Sequence, residues 1–280
     1  MALKHLLPRK LRDFVRPTYQ RACGYGMSFR QSLVNSPPWP KPSTWHQLRH
    51  SLDTVTDLGE LYRIANREFG IFQFEAEIIP FLDYIRSSHP RTIGEIGILF
   101  GGNTFLFERA LTEVRQLVAI DLKLTNVGKA RFMARRGQRV RMLEGNSHSP
   151  DMVKSVARQL GQNRFDFLFI DGDHSYEGVL RDFITYYPLV RPGGLIAFHD
   201  ISPDELARFG RRSPENTQDA GEVYLLWRRL RERFENCEFV KDWNQFGYGI
   251  GVMTKPDNSP LPADWVASLN DKETAKGLPL

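Results

Sequence analysis

The segment 165–200, FDFLFIDGDHSYEGVLRDFITYYPLVRPGGLIAFHD, decides the fold. It opens on a strand-like stretch whose apolar run, Phe167 to Ile170, suits a strand buried on both faces. The run stops abruptly at Asp171-Gly172-Asp173-His174, and a helical pattern then occupies 176–187. A second β-rich run, 193–200, ends on His199-Asp200. The Pro192-Gly193-Gly194 triplet suits a tight turn that starts this strand and carries no chemistry. A buried strand that ends on two aspartates, a glycine and a histidine needs a reason, and that reason lies at the strand ends.

The same alternation extends upstream. Short β-rich runs at 91–97, 116–122 and 139–145 are interleaved with helical stretches at 103–112, 126–136 and 150–161, and helical spacing also covers 54–66 and 72–88. Such an order builds an α/β, doubly wound and mostly parallel sheet with helices on both faces. Downstream, a helix over 220–234 precedes two more strands, CEFVKDW and YGIGVMT. Their short link, NQFG, predicts a hairpin and an antiparallel strand at the end of the sheet. The chain thus divides into a basic arm and helical region (1–69), a sheet domain (70–254) and a C-terminal extension (255–280).

Composition narrows the classes further. In 280 residues, 41% hydrophobic, no stretch approaches the roughly 20 apolar residues of a membrane span. The start, MALKHLLPRKLRDF, interleaves charge with leucine and lacks the apolar core of a secretory signal. Two cysteines, Cys23 and Cys237, give neither a disulfide framework nor a thiolate cluster, so a cytoplasmic, reducing setting is expected. The net charge of +5 is unevenly placed: residues 1–50 hold nine Lys/Arg against Asp13 alone, leaving the body net negative. A basic arm can touch nucleic acid or an anionic surface. Its leucines at helical spacing, interrupted by Pro8, read first as a helix packing on the body or on a neighbouring subunit, which suggests a homo-oligomer. Residues 36–45, rich in proline, form an extended connector.

In a doubly wound sheet, ligands sit beyond the carboxyl ends of the strands. After the first strand comes a glycine corner, with Glu95, Gly97, Gly101 and Gly102 leading into Asn103 and Thr104 at a helix start. Its spacing is not GxGxxG. Asp121, after the second strand, is placed to take both hydroxyls of a ribose, although alone it could equally cap the next helix. After the third strand, Asn146, Ser147 and His148 offer short polar groups to an adenine edge. Glycines, acid and amide at three consecutive strand ends together indicate an adenosine site.

With segment 165–200, this set resembles the class I S-adenosylmethionine (SAM) methyltransferases. More narrowly, the resemblance is to the metal-dependent O-methyltransferases: the catechol type and, closer, the macrocin and mycinamicin sugar O-methyltransferases and the cephalosporin hydroxylase-like group. It covers about 70–254 and implies a Rossmann-like sheet of seven strands, the last antiparallel. In that fold the strand ending at Asp171 lies beside the one ending at His199 and Asp200, and two facing carboxylates repel unless a cation lies between them. The resemblance assigns the metal to Asp171, His199 and Asp200, with Asp171 also bordering the cofactor. The ion it implies is Mg²⁺, with Mn²⁺ or another divalent ion open because the macrocin type tends to carry an acid where His199 stands. His174 matches the general base of the sugar-modifying relatives, with Asp173 as its orienter; orienting Asp171 or Asp173 is the alternative role for His174.

The implied reaction is methyl transfer from SAM to a hydroxyl of a small molecule, a sugar or glycosylated natural product. A nucleic-acid methyltransferase is the competing reading, weakened by the negative body and by DGDH where (N/D)PPY would stand; a SAM-fold protein without transfer activity is the third. The polar segment 201–221 suits a lid, where Arg208, Arg211 and Arg212 either face an acidic acceptor or form a solvated cluster. Gln73 and Phe74 are candidates to close over the methionine end of SAM. Which hydroxyl compound is the acceptor is not encoded in any of these motifs.

Overall fold

The computed structural model describes residues 49–213, 220–276 and Leu278. The basic arm, the proline-rich connector and positions 214–219 of the expected lid lie outside the described residues.

Among the described residues, the helices α1 (Leu58–Glu68) and α2 (Glu75–Ser87) precede the sheet. In α1, Leu58, Leu61, Ile64 and Ala65 are buried at i, i+3 and i+4 spacing, and the Asp57 side chain accepts from Glu60 N to cap its start. Strands and helices then alternate: β1 (Thr92–Ile96), α3 (Gly102–Ala110), β2 (Gln116–Asp121), α4 (Val127–Met133), β3 (Arg139–Glu144), α5 (Pro150–Leu160), β4 (Phe165–Ile170), α6 (Tyr176–Tyr186) and β5 (Val190–His199). The remainder adds α7 (Glu205–Phe209), α8 (Val223–Arg231), β6 (Asn236–Phe239), β7 (Ile250–Thr254), α9 (Ala263–Ser268) and α10 (Lys272–Lys276).

The sheet order is β3-β2-β1-β4-β5-β7-β6. Strands β1 to β5 pair in parallel, and β7 runs antiparallel to both of its neighbours. Alternation along each strand sends side chains to two cores. Phe167 and Phe169 pack with α1, α2 and α3, while Leu168 and Ile170 pack with α5, α6 and α8. Winding reverses between β1 and β4, which in doubly wound sheets is where the ligand crevice lies, beyond the carboxyl ends of the strands. Among the described residues no helix is long and apolar enough to cross a membrane.

Four details differ from the sequence reading. First, β7, the last strand and antiparallel as expected, is not the edge of the sheet but inserts between β5 and β6. Second, the link between them is not the tight NQFG but all of 240–249. Its polar backbone is captured by one buried acid, Glu77, instead of continuing the ladder. Third, Pro192-Gly193-Gly194 is a bulge inside β5: Phe165 pairs with Val190 and Phe167 already with Leu195. Lys255 fastens the bulge, its carbonyl accepting from Gly193 N at 2.7 Å and its N–H donating to Gly194 O at 2.9 Å. Fourth, α3 is not amphipathic in its surroundings. All nine of its residues are buried, Glu108 and Arg109 included, because α1 covers its outward face. Arg109 finds Asp53 at 2.7 Å, and burial holds the Glu108 carboxyl well above its ordinary range.

The segment after β7 is docked on the body. Tyr176 OH donates to Leu269 O at 2.6 Å, and Leu269 and Ala275 are buried in the core beside α6 and α8.

Candidate active site

Gly97 ends β1 with φ +89°, a conformation that side chains rarely adopt, and a Cβ there would stand 1.9 Å from the carbonyl oxygen of Asp171. Only glycine lets the ends of β1 and β4 approach this closely. Gly101 (φ +92°) then begins α3 in the left-handed region, so that the Gly102–Thr104 backbone opens a helix at the crevice. The Thr104 hydroxyl donates to Glu95 Oε2 at 2.5 Å. Burial pushes the Glu95 carboxyl up to about 8, against the Thr104 hydrogen bond and with the help of Asp171 and Asp121.

The second and third strand ends are arranged less simply. Asp121 braces the glycine corner itself: Oδ2 accepts from Ile98 N (2.7 Å) and Leu99 N (2.8 Å), and Oδ1 from Lys123 N (2.9 Å). A carboxylate has about four acceptor positions, so one remains for a further donor. Asn146 is exposed, and its side chain accepts from His148 N at 2.8 Å. The Ser147 carbonyl accepts from Tyr186 OH at 2.8 Å. The His148 ring turns toward α6, with Nε2 at 3.2 Å from both Gly178 O and the fully buried Asp182 carboxylate. Asp182, accepting from the ring and adding its negative charge, raises the imidazole above its ordinary value, against partial burial.

The densest set of titratable groups stands at the ends of β4 and β5. Parallel pairing aligns Ile170 with Phe198, which brings Asp171 and the His199-Asp200 pair side by side. His174, on the loop into α6, closes the group; its own helix is started by the Ser175 side chain, which accepts from Gly178 N. His174 Nε2 lies 3.4 Å from Asp171 Oδ1, and Nδ1 lies 3.2 Å from Asp200 Oδ2. His199 Nδ1 is 3.2 Å from Asp171 Oδ1 and 3.5 Å from Asp200 Oδ2. Asp200 has no side-chain exposure, and Asp171 only 14%. Burial alone would raise both carboxyls, but the charges and hydrogen bonds of His199 and His174 outweigh it and hold both below the usual carboxylate range. Conversely, burial alone would lower the histidines. Asp171 and Asp200 instead lift His174 to about 9 and His199 well above its usual value.

Two outer contacts fix the carboxylates. Gln73 Nε2 donates to Asp171 Oδ2 at 3.0 Å, and Tyr248 N donates to Asp200 Oδ1 at 2.8 Å. Asp200 itself holds φ +61°, which aspartate tolerates better than most side chains. Of the two residues flagged ahead of the first strand, Gln73 is thus bonded to Asp171, and Phe74 packs on Tyr248 with ring centroids 4.1 Å apart. Tyr248 and Glu77 escaped the sequence reading, since neither lies in a motif. In the lid region, Arg208 is bonded to Pro203 O and Trp243 O, and Arg212 pairs with Asp204 at 3.0 Å, so these two arginines are committed to protein partners.

The donor set suits a divalent cation. Asp171, His174 and Asp200 each offer an atom within 4.8 Å of the others, a spacing one ion can bridge. Asp200 Oδ2, His174 Nδ1 and His199 Nε2 are buried without an aligned hydrogen-bond partner, close as the ion-pair distances are. His199 falls outside that mutual 4.8 Å set, although its Nδ1 faces both carboxylates. The glycine corner likewise has acceptors left over, Glu95 Oε1 and Asn103 Oδ1, which fit a ligand that carries an ammonium group.

Residues 95–201 match the family model described as a methyltransferase domain. The match runs from Glu95 to just past Asp200 and so encloses the glycine corner and the acid–histidine cluster. Mycinamicin VI 2''-O-methyltransferase of Micromonospora griseorubida is 27% identical over 107 residues, covering 38% of this chain and 26% of that protein. Demethylmacrocin O-methyltransferase of Streptomyces fradiae is 29% identical over 105 residues, with the same coverage of 38% and 26%. The chain therefore spans about a quarter of the length of these curated relatives. A solved structure described as MycE methyltransferase from the mycinamycin biosynthetic pathway, in complex with Mg, SAH and mycinamycin VI, superposes with a TM-score of 0.51 at 20% identity. That superposition covers 75% of this chain and 58% of the other, and it shows a shared fold. Over 95–201, then, the chain matches a methyltransferase-domain model, and its sheet has the Rossmann-like architecture of the solved structure it superposes on.

Proposed function

We propose that this chain transfers the methyl group of S-adenosylmethionine to a hydroxyl of a small molecule, a sugar or glycosylated compound, at a divalent cation held by Asp171 and Asp200. The observation that carries the reading is the convergence of Asp171, His174, His199 and Asp200 within 3.2–3.5 Å contacts, directly beside a glycine corner with unpartnered acceptors. The two relatives that share about 105 residues with this chain carry O-methyltransferase names, which supports the reaction class and the kind of acceptor.

In methyl transfer the acceptor oxygen bonds to the methyl carbon, the carbon–sulfur bond breaks with its electron pair returning to sulfur, and the hydroxyl proton must leave. Glu95 and Asn103 line the corner where the cofactor's amino-acid end would be oriented, and Asp121 keeps one acceptor position for a ribose hydroxyl. His174 takes the proton. With only the two carboxylates facing it, the imidazole is already protonated near neutrality, being lifted to about 9 against its burial. A divalent cation bound between those carboxylates would neutralise their field, return His174 toward its ordinary range and polarise an acceptor hydroxyl. Gln73 and the Tyr248 amide hold the carboxylate oxygens in place during this exchange of partners. Two imidazoles beside two carboxylates widen the choice of ion beyond Mg²⁺ to Mn²⁺ or Fe²⁺.

Because His174 belongs to the mutually close set, a ligand role for it is the second reading. One experiment separates the two. Methyl transfer from SAM to a panel of free and glycosidic sugars is expected to stop in EDTA and return with Mg²⁺ or Mn²⁺. His174→Ala is expected to lower turnover about 10²- to 10⁴-fold with SAM affinity intact and Mn²⁺ bound at least as tightly, its competing proton being gone, if it is the base, and to lose Mn²⁺ as well if it is a ligand. Turnover that is indifferent to chelation removes the proposal.

A further inference from the structure

Glu77 lies in the first turn of α2, has no exposed surface and belongs to none of the sequence motifs. Its carboxylate faces the 240–249 link and accepts three N–H groups from it: Lys241 N (3.0 Å) and Gln245 Nε2 (2.6 Å) at Oε1, and Gly249 N (3.0 Å) at Oε2. One side chain thus fastens the start, middle and end of that link. Between the last two contacts sits Tyr248, at φ +61°. Its amide is the donor to Asp200 Oδ1, and its carbonyl accepts from Ser202 N at 3.0 Å. A second rung, Gly247 N to Pro203 O at 3.2 Å, ties the link to the stretch that follows Asp200.

The opposite carboxylate is held from the same place. Gln73, four residues before Glu77 and just ahead of α2, donates to Asp171 Oδ2. Both acids at the ends of β4 and β5 are therefore referenced to the start of α2, directly for Asp171 and through the 240–249 link for Asp200.

We propose that Glu77 is a positioning residue that sets the Asp200 carboxylate opposite Asp171 by clamping the Tyr248 amide against it. This rests on the cation reading of Asp171 and Asp200. Two left-handed non-glycine residues, Asp200 and Tyr248, face each other across the bond that matters, and such conformations persist only where surrounding bonds over-determine them. Glu77 supplies that over-determination. Releasing it leaves Asp200 free to swing, and partners that orient metal-binding groups typically change affinity about 10- to 100-fold when lost.

The test is Glu77→Gln in the full chain. It keeps the size of the side chain but points an NH₂ at donors that need an acceptor. Mn²⁺ affinity, measured by calorimetry, is expected to fall about tenfold. Binding of S-adenosylhomocysteine without metal should stay as in the wild type, because the glycine corner is on the other side of β4. Hydrogen exchange at the Tyr248 amide should accelerate while β1 amides keep their protection, which distinguishes a local release from general destabilisation. Wild-type Mn²⁺ affinity together with wild-type Tyr248 exchange in the folded variant would overturn the proposal. Should Glu77→Gln not fold, Gln245→Ala removes one of the three contacts and is expected to shift both readouts in the same direction, by less; no shift in either overturns the proposal equally. If the wild type itself binds no Mn²⁺, the cation reading fails, and Tyr248 exchange alone decides the role of Glu77.

Discussion

Cation binding at Asp171 and Asp200 should expel protons, because in the structure the histidines supply the counter-charge. His174 is held at about 9, so at pH 7.5 it is protonated. An ion that takes over the carboxylates displaces about one proton from His174, and up to one more from His199, which is raised by the same two acids. Since both histidines are raised, they hold the competing protons at neutral pH and release them as pH rises, through about 9 for His174, so affinity must climb with pH. Between pH 7.5 and 9 the gain from His174 alone is about sixteenfold, or roughly 1.6 kcal/mol. Calorimetric titration with Mn²⁺ at pH 7.5, repeated in buffers of low and high ionisation enthalpy, reads the number of protons directly. Between one and two released protons per ion is expected. Tight binding with no proton release would mean that the histidines are not what the cation replaces, and the electrostatic argument for the site would be wrong.

Two further outcomes follow from the same geometry. Gly97→Ala drives a Cβ to within 1.9 Å of the Asp171 carbonyl at a positive φ, so a loss above about 4 kcal/mol is expected, read as a collapse of the thermal melt; a wild-type melt would contradict the close approach of β1 and β4. In chelator, the raised His174 contributes stability that is complete below its unfolded value near 6.5 and is lost as pH rises through about 9, at most about 3 kcal/mol; denaturant unfolding at pH 6.5 and 9.5 should show that loss, and equal stability would count against it.

What the sequence discloses here depends on how local the cause is. The strand–helix rhythm is set by side chains a few positions apart, and β1 to β5 with their helices form within a few residues of the expected bounds. The Asp171, His174, His199 and Asp200 juxtaposition is legible because two apolar runs end on acids and parallel pairing aligns them. Other features depend on distant partners. The 240–249 link looks like a tight hairpin until Glu77, 164 to 172 positions away, is seen to capture it. Gln73 reaches Asp171 across 98 positions. His148 is short, polar and correctly placed along the chain for a cofactor contact, yet a buried acid on α6, Asp182, draws its ring inward. Helix α3 has polar residues that suggest an exposed face, and only the packing of α1 over it explains why Glu108 and Arg109 are buried. Acceptor choice is not legible at all, because the side chains around the crevice mouth answer to a ligand and not to the fold.

The most direct experiment is an anomalous difference map from crystals grown with Mn²⁺ and S-adenosylhomocysteine. A single peak is expected between Asp171 and Asp200, about 2.0–2.2 Å from an oxygen of each, with His174 no longer paired to both carboxylates. Crystals in which S-adenosylhomocysteine fills the glycine corner while Asp171 and Asp200 stay bonded to His174 and His199, with no peak between them, would contradict a shared cation.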